Sequence, residues 1–202
     1  IKVGVIASII STFIALFAAK AFTRYRVKYS GLSYGAILLP FIIPEIIIAV
    51  AFIVIWTSMG LKLGLVPITI SHILYCTPFC LLILISRMDG FDKSLEEASM
   101  DLGENIFGTF WRVTFPLLLP GIIASLLLSF VISFDEFILA FFLSSSDQTL
   151  PIYMWSQLRF PKKLPHVLAL GAIIIVATSF IVMLSYWFRN LGQSNNNRGS
   201  HI

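Results

Sequence analysis

Charge is scarce in this chain. Of its 202 residues 12% are Asp, Glu, Lys or Arg, against 58% hydrophobic, and the mean hydropathy is +0.94. Soluble domains carry about 25% charged residues, so a water-soluble globule of this size could not cover its surface. The chain must meet lipid. A phosphate-cradling loop is lacking as well: it needs G-x-x-x-x-G-K-[ST], and no Gly-Lys-Ser or Gly-Lys-Thr occurs. Any ATP-derived energy must then come from a separate subunit. Cysteine is confined to Cys76 and Cys80, which with His72 recur every four residues along one helical face. No fourth ligand accompanies them, which argues against zinc, and two cysteines one helical turn apart do not suit a structural disulfide. They read instead as small hydrophobes. Ser144-Ser145-Ser146 with Asp147 and His166 has no nucleophile-elbow context, which argues against hydrolase chemistry.

What the chain does have is long apolar runs. Roughly 20 residues of helix cross the hydrocarbon core, and the stretches at about 3–22, 33–57, 65–86, 117–143 and 167–188 qualify. Each is too long and too continuously apolar for a tilted barrel strand, and lipid admits only helices or closed barrels. The expected fold is an all-α polytopic transmembrane bundle with five spans. Residues 1–190 form one membrane domain, and the polar segment 191–202 is a disordered tail. The first residue is Ile1, without an initiator Met, and the run it opens does not resemble a cleaved signal peptide. The expectation is that this sequence begins inside a longer protein or has lost an N-terminal piece.

Basic residues set the orientation. Lys20, Arg24, Arg26 and Lys28 follow the first span, and alternation puts Arg87, Lys93, Arg112, Arg189 and Arg198 on the same, cytoplasmic side. Lys2, Lys62, Arg159, Lys162 and Lys163 fall on the other. The net charge of +4 is what inner-side loops carry and calls for no nucleic acid.

The loop 87–116 between two spans is the longest polar stretch before the C-terminal third. Ser94 followed by Glu97 predicts a capping box that starts a helix at Leu95. Leu95, Ala98 and Leu102 then form a short apolar stripe. Gly103 stands where a C-cap glycine would stop the helix and turn the chain. A second short helix over 105–112 would leave Ile106, Phe107, Phe110 and Trp111 exposed unless a partner covers them.

Glu97-Ala98-Ser99, three residues, Gly103, nine residues, then Val113-x-Phe115-Pro116 resembles the EAA loop of ABC-importer permeases, E-A-A, x3, G, x9, I-x-L-P. Ser replaces the third small residue, Val the Ile and Phe the Leu, with all gaps kept. Leu39-Pro40-x3-Pro44-Glu45, Ser133-Phe134-Asp135-Glu136 and Leu150-Pro151-x-Tyr153 extend the likeness over nearly the whole chain, to the spermidine/putrescine-type permeases. The resemblance implies a type I importer permease fold with six spans, of which this chain lacks the first. It implies a multi-pass protein of the bacterial inner membrane, working with a second permease, two ATP-binding cassette ATPases and an external solute-binding protein. The chain itself would hold no cofactor and no catalytic residue, with ATP and Mg bound by the ATPase. Glu97, Ala98, Ser99, Gly103, Ile106, Phe107, Val113, Phe115 and Pro116 would couple to that ATPase. The implied solute is a polyamine. Iron(III), sulfate, phosphonate and thiamine importers share much of the layout.

Three carboxylates lie within apolar runs: Glu45, Asp135 and Glu136. Intramembrane acids are costly and mark a pathway or a partner. Pro40 and Pro44 precede Glu45 and would kink its span, freeing backbone carbonyls. Asp135 and Glu136 point about 100° apart on a helix, so one should face the path and the other a neighbouring helix or polar group. Acids walled by Phe134, Phe137 or Trp56 would suit a polycation. Structural roles in helix bends and subunit contacts are the competing reading. A secondary transporter also places acids in broken helices but leaves the Glu97–Pro116 segment without a use. A structural membrane assembly protein would use that segment for docking alone.

Overall fold

The computed structural model describes residues 1–25 and 30–190. Arg26, Lys28, Arg198 and the tail 191–202, invoked above for orientation and disorder, lie outside the described residues. The helices run α1 (Lys2–Arg24), α2 (Ser30–Ile42), α3 (Glu45–Ser58), α4 (Leu65–Asp89), α5 (Ser94–Asp101) and α6 (Ile106–Thr109). A π-helical turn (Phe110–Thr114) leads into α7 (Phe115–Asp135), followed by α8 (Ile138–Leu143), α9 (Leu150–Gln157), a 3-10 turn (Pro161–Lys163) and α10 (Leu164–Asn190). The all-α architecture is as the composition demands. Among the described residues four helical stretches are each long and apolar enough to cross a membrane, and a bent pair makes five if its two halves count as one span.

α1, α4 and α7 form the core, and small residues let them approach. Gly121, Ser125, Ser129 and Ser133 of α7 recur every four residues opposite Leu84, Cys80, Cys76 and His72 of the antiparallel α4. In lipid, helices associate through such close packing and through interhelical hydrogen bonds. The His72 imidazole Nδ1 and the Ser133 hydroxyl are 2.7 Å apart. The Cys76 thiol donates to the Ser129 carbonyl at 3.6 Å and the Cys80 thiol to the Ser125 carbonyl at 3.8 Å. Cys80 also lies 3.7 and 3.6 Å from the Ser11 and Thr12 hydroxyls of α1. The polar face noted in the sequence is thus a set of rungs between helices.

Two expected spans differ in form. The run 33–57 is broken at Ile43–Pro44, and its halves meet at 103°. Pro40 lies within α2, and Pro44 caps α3 with no N–H to continue the ladder. The run 117–143 stops at Asp135, and α8 restarts three residues later. At its other end this helix is longer than expected. No separate helix occupies 105–112, because the chain is helical without interruption from Ile106 to Asp135. The widened turn at Phe110–Thr114 lies just ahead of Pro116, a residue that brings a bulky ring and no donor. α10 sits outside this core. Half of the apolar window of α4 is buried but 6% of that of α10, although the Ser185 hydroxyl anchors α10 to the Ala124 carbonyl at 2.8 Å.

Candidate functional site

The loop end of the bundle is organised by a residue the motif skips. Glu96 is 6% exposed, and its carboxylate accepts from Arg24 Nε at 2.7 Å and from the Thr114 hydroxyl. Arg24 also donates to the Met88 carbonyl at 3.1 Å, and its guanidinium lies 4.7 Å from the centre of the Phe91 ring. One ion pair therefore ties the last turns of α1 and α4 to α5 and the π turn. Glu97, next along, is exposed, and its ion-pair partner among the described residues is Lys93 at 3.1 Å.

The capping box does not form. Lys93 is already helical (φ −61°, ψ −27°), so Ser94 falls inside the helix, and the Asp92 carboxylate accepts from the Ser94 N–H at 2.9 Å. That bond holds the Asp92 carboxyl below the usual carboxylate range. The glycine stop is present. Gly103 has φ +92°, its N–H bonds the Met100 carbonyl at 2.9 Å, and the Glu104 N–H reaches back to Ser99 at 3.2 Å. This is a Schellman closure, which requires the left-handed region that glycine enters freely. Asn105 then caps the next helix by accepting from the Gly108 N–H at 2.7 Å, and Glu104 pairs with Arg112.

The mount turns its apolar side outward. Leu95, Ala98 and Leu102 are all exposed, Leu102 at 88%, and so are Ile106, Phe107 at 73%, Trp111 and Pro116. Ser99, Val113 and Phe115 are half-buried, with the Ser99 hydroxyl 3.2 Å from that of Thr109. Phe110 departs from expectation. It is buried, its ring lies 6.2 Å from that of Phe17, and the Lys20 ammonium sits 4.5 Å from its centre. Sequence reasoning missed Glu96 because the motif claims the neighbouring glutamate. An Arg at the end of the first span with a Glu pair ahead was the available signal.

The intramembrane acids divide into two places. Glu45 opens α3 directly after the break and accepts from the Tyr75 hydroxyl of α4. Glu136 is buried in the gap between α7 and α8 and accepts from the Leu139 N–H at 2.9 Å, holding the first turn of α8. Ile48 and Ala49 of α3 pack on Leu139, which brings the two helix breaks side by side, and Tyr75 lies within electrostatic reach of both acids. Tyr75 also meets Phe79 edge-on at 5.8 Å, and Phe79 meets Phe41 at 5.1 Å. Asp135 stands apart. With Phe134, Phe137, Met154 and Trp155 it lines a groove of about 410 Å³ between α7, α9 and α10. Trp56 is elsewhere again, at the far end of α3, where its indole N–H bonds the Lys62 carbonyl at 2.9 Å. Tyr75, Phe79 and Phe41 were not flagged by the sequence, since aromatics inside apolar spans are common.

The sequence profile of the family described as "Binding-protein-dependent transport system inner membrane component" matches residues 11–193. The chain belongs to that family. Over 186 residues the permease is 30% identical to the spermidine/putrescine transport system permease protein PotC of Escherichia coli (strain K12), covering 92% of this chain and 70% of that one. PotC of Haemophilus influenzae is likewise 30% identical, with 72% of its length covered. The putrescine transport system permease protein PotI of Escherichia coli (strain K12) is 28% identical over 188 residues, covering 90% of this chain and 66% of that one. The permease is therefore a transport subunit, multi-pass and of the inner membrane.

Proposed function

We propose that this permease is one transmembrane half of an ATP-driven polyamine importer, and that α5, the Gly103 turn and α6 form its docking surface for an ATPase on the cytoplasmic side. The observation that carries the proposal is the outward apolar face of Leu95, Leu102, Ile106 and Phe107 on a mount braced by a buried ion pair. Burial of such side chains is worth about 1.5–3 kcal/mol each, so a face left open in one chain is a binding surface waiting for its groove. Glu97, beside that face, would meet a cation of the ATPase. Ala98, Ser99, Val113, Phe115 and Pro116 fix the angle of approach. The chain itself brings no catalytic group, metal or nucleotide; ATP and Mg belong to two ATPase subunits, and a second permease closes the path.

The substrate class rests on the named polyamine permeases among the relatives and on the chemistry of the acids. Glu45 and Glu136 are held at two adjacent helix breaks beside Tyr75, and Asp135 sits among aromatic rings. Carboxylates with aromatic walls suit a chain of ammonium groups. The test is uptake into proteoliposomes bearing the assembled complex, with ATP inside and binding protein outside. Vanadate-sensitive accumulation of spermidine or putrescine is expected. Accumulation of sulfate, iron, phosphonate or thiamine instead would keep the machinery and overturn the substrate. Uptake without any ATPase would overturn the coupling.

A further inference from the structure

At the loop end of α1, Lys20 stands without a partner acid. Among the described residues no carboxylate comes within ion-pair distance of its ammonium, which sits 4.5 Å from the centre of the Phe110 ring. One turn on, Arg24 is paired with Glu96 at 2.7 Å, and across from it Lys93 is paired with Glu97 at 3.1 Å. These five side chains line a cavity of about 250 Å³ between the end of α1 and α5, together with Tyr25, Met100 and Ile106. Both acids are already taken, so the positive charge left over in the cavity is that of Lys20. An apolar stripe leads away from it along the span. Phe110 stacks on Phe17 at 6.2 Å, and Phe17 meets Phe13 edge-on at 4.8 Å. Phe13, Phe17 and Lys20 recur at helical spacing on one face of α1. Phe13 is 61% exposed and Phe17 50%, and Ile9, Ile10 and Ile14 beside them are exposed as well.

A lysine at the end of a span commonly snorkels, its stem on apolar surface and its head in water. Snorkelling accounts for the stem of Lys20. It does not account for a cavity into which two further cations converge, nor for the ring that holds the ammonium at its edge. We propose that this cavity takes the phosphate of an anionic phospholipid, with Lys20 as its free counter-ion and an acyl chain lying along Phe17 and Phe13. Basic pockets beside membrane helices, at the level of the headgroups, are where anionic lipids are recognised. A free phosphate would satisfy the same charge but would leave the aromatic stripe unused, and the stripe is what favours the lipid. Assignment to the inner leaflet rests on the sidedness proposed above, whereas retention of the lipid does not.

The experiment is native mass spectrometry of the assembled complex in a neutral detergent, titrated with phosphatidylglycerol or with phosphatidylcholine of the same acyl chains. The parent should prefer phosphatidylglycerol, and Lys20→Gln should weaken its tightest-bound copy about fivefold. Lys20→Arg keeps the cation and should keep the lipid. Phe17→Ala should weaken retention while leaving the preference between headgroups. Complex assembly and basal ATP hydrolysis should stay at the parental level in all three. Parental retention in Lys20→Gln, or equal retention of the two lipids by the parent, would overturn the proposal. Displacement of the lipid by inorganic phosphate, with Phe17→Ala behaving as the parent, would assign the cavity to free phosphate and overturn it too. So would loss of ATPase subunits from Lys20→Gln with lipid retention unchanged, which would give Lys20 to a partner subunit. The importer reading is tested by uptake and stands or falls apart from these results.

Discussion

Glu96 and Glu97 point about 100° apart on α5, and their surroundings differ accordingly. Removing the Glu96 carboxylate leaves Arg24 charged, nearly buried and without its partner, a situation that costs about 3–5 kcal/mol. Glu96→Ala should therefore lower the unfolding temperature of the purified complex, read by intrinsic fluorescence, and reduce the amount of permease recovered. Glu97→Ala removes only a surface pair with Lys93 and should change stability by less than about 1 kcal/mol. Its effect belongs in transport-stimulated ATP hydrolysis, which should fall while the unfolding temperature holds. Matching phenotypes for the two variants would contradict the division of labour. Asp92 gives a pH signature. Its folded carboxyl titrates below its unfolded value of about 3.9, because the Ser94 N–H favours the anion. The stabilisation is thus complete above that value and disappears as pH falls through the depressed one. Hydrogen exchange at the start of α5 should accelerate below about pH 4 in the parent, and Asp92→Asn should weaken that dependence.

At the scale of elements, packing decides which glycines tolerate change. A Cβ on Gly121 would stand 3.0 Å from Arg87 Cγ and 3.1 Å from its Cβ, whereas one on Gly35 would meet nothing within 4 Å. Gly121→Val should cost about 1–3 kcal/mol by overpacking the α4–α7 seam, measured as loss of thermal stability. Gly35→Ala should be neutral or slightly stabilising. Gly103→Val is a third case, because open space surrounds that position and its φ of +92° is the obstacle. The variant should insert and assemble, while transport and stimulated ATP hydrolysis fall together. Normal stimulation would show that the turn does not aim the docking face. The glycine stop was legible from spacing, since one residue type serves that backbone region. The helix start was not, because Asp92, Ser94 and Glu97 all offer capping chemistry, and the backbone of Lys93 decides among them. The outward facing of Leu95 and Leu102 was equally hidden. Periodicity finds a stripe and does not say whether its cover lies in the same chain.

Over the whole molecule, the apolar runs were legible because bilayer thickness imposes a length on them. Their breaks were visible only as prolines and acids. Pro44 marked one break, but at Glu136 no proline announces the gap, and the side chain that occupies it is the acid itself. That two breaks meet around Tyr75 follows from packing between α3 and α8, which a single sequence does not encode locally. If these acids favour cations in the path, Glu45→Gln and Asp135→Asn should slow polyamine uptake with assembly and binding-protein affinity unchanged. The amides keep shape and remove charge, so parental uptake would reject the electrostatic role, and loss of the complex would make the acids structural.

The uninterrupted helix from Ile106 to Asp135 runs 30 residues, about 45 Å at the α-helical rise. Phe107 is at one tip and Asp135 at the other, so the proposed docking face and the groove that Asp135 lines are opposite ends of one rod. A helix carries displacement along its length without needing a chain of intermediate contacts, and the widened turn at Phe110–Thr114 and Pro120 are places along it where the backbone ladder is altered. A tilt of the docking tip would reach the far groove as a sideways stroke. Its size would be set by how far along the rod the Gly121–Ser133 seam acts as fulcrum.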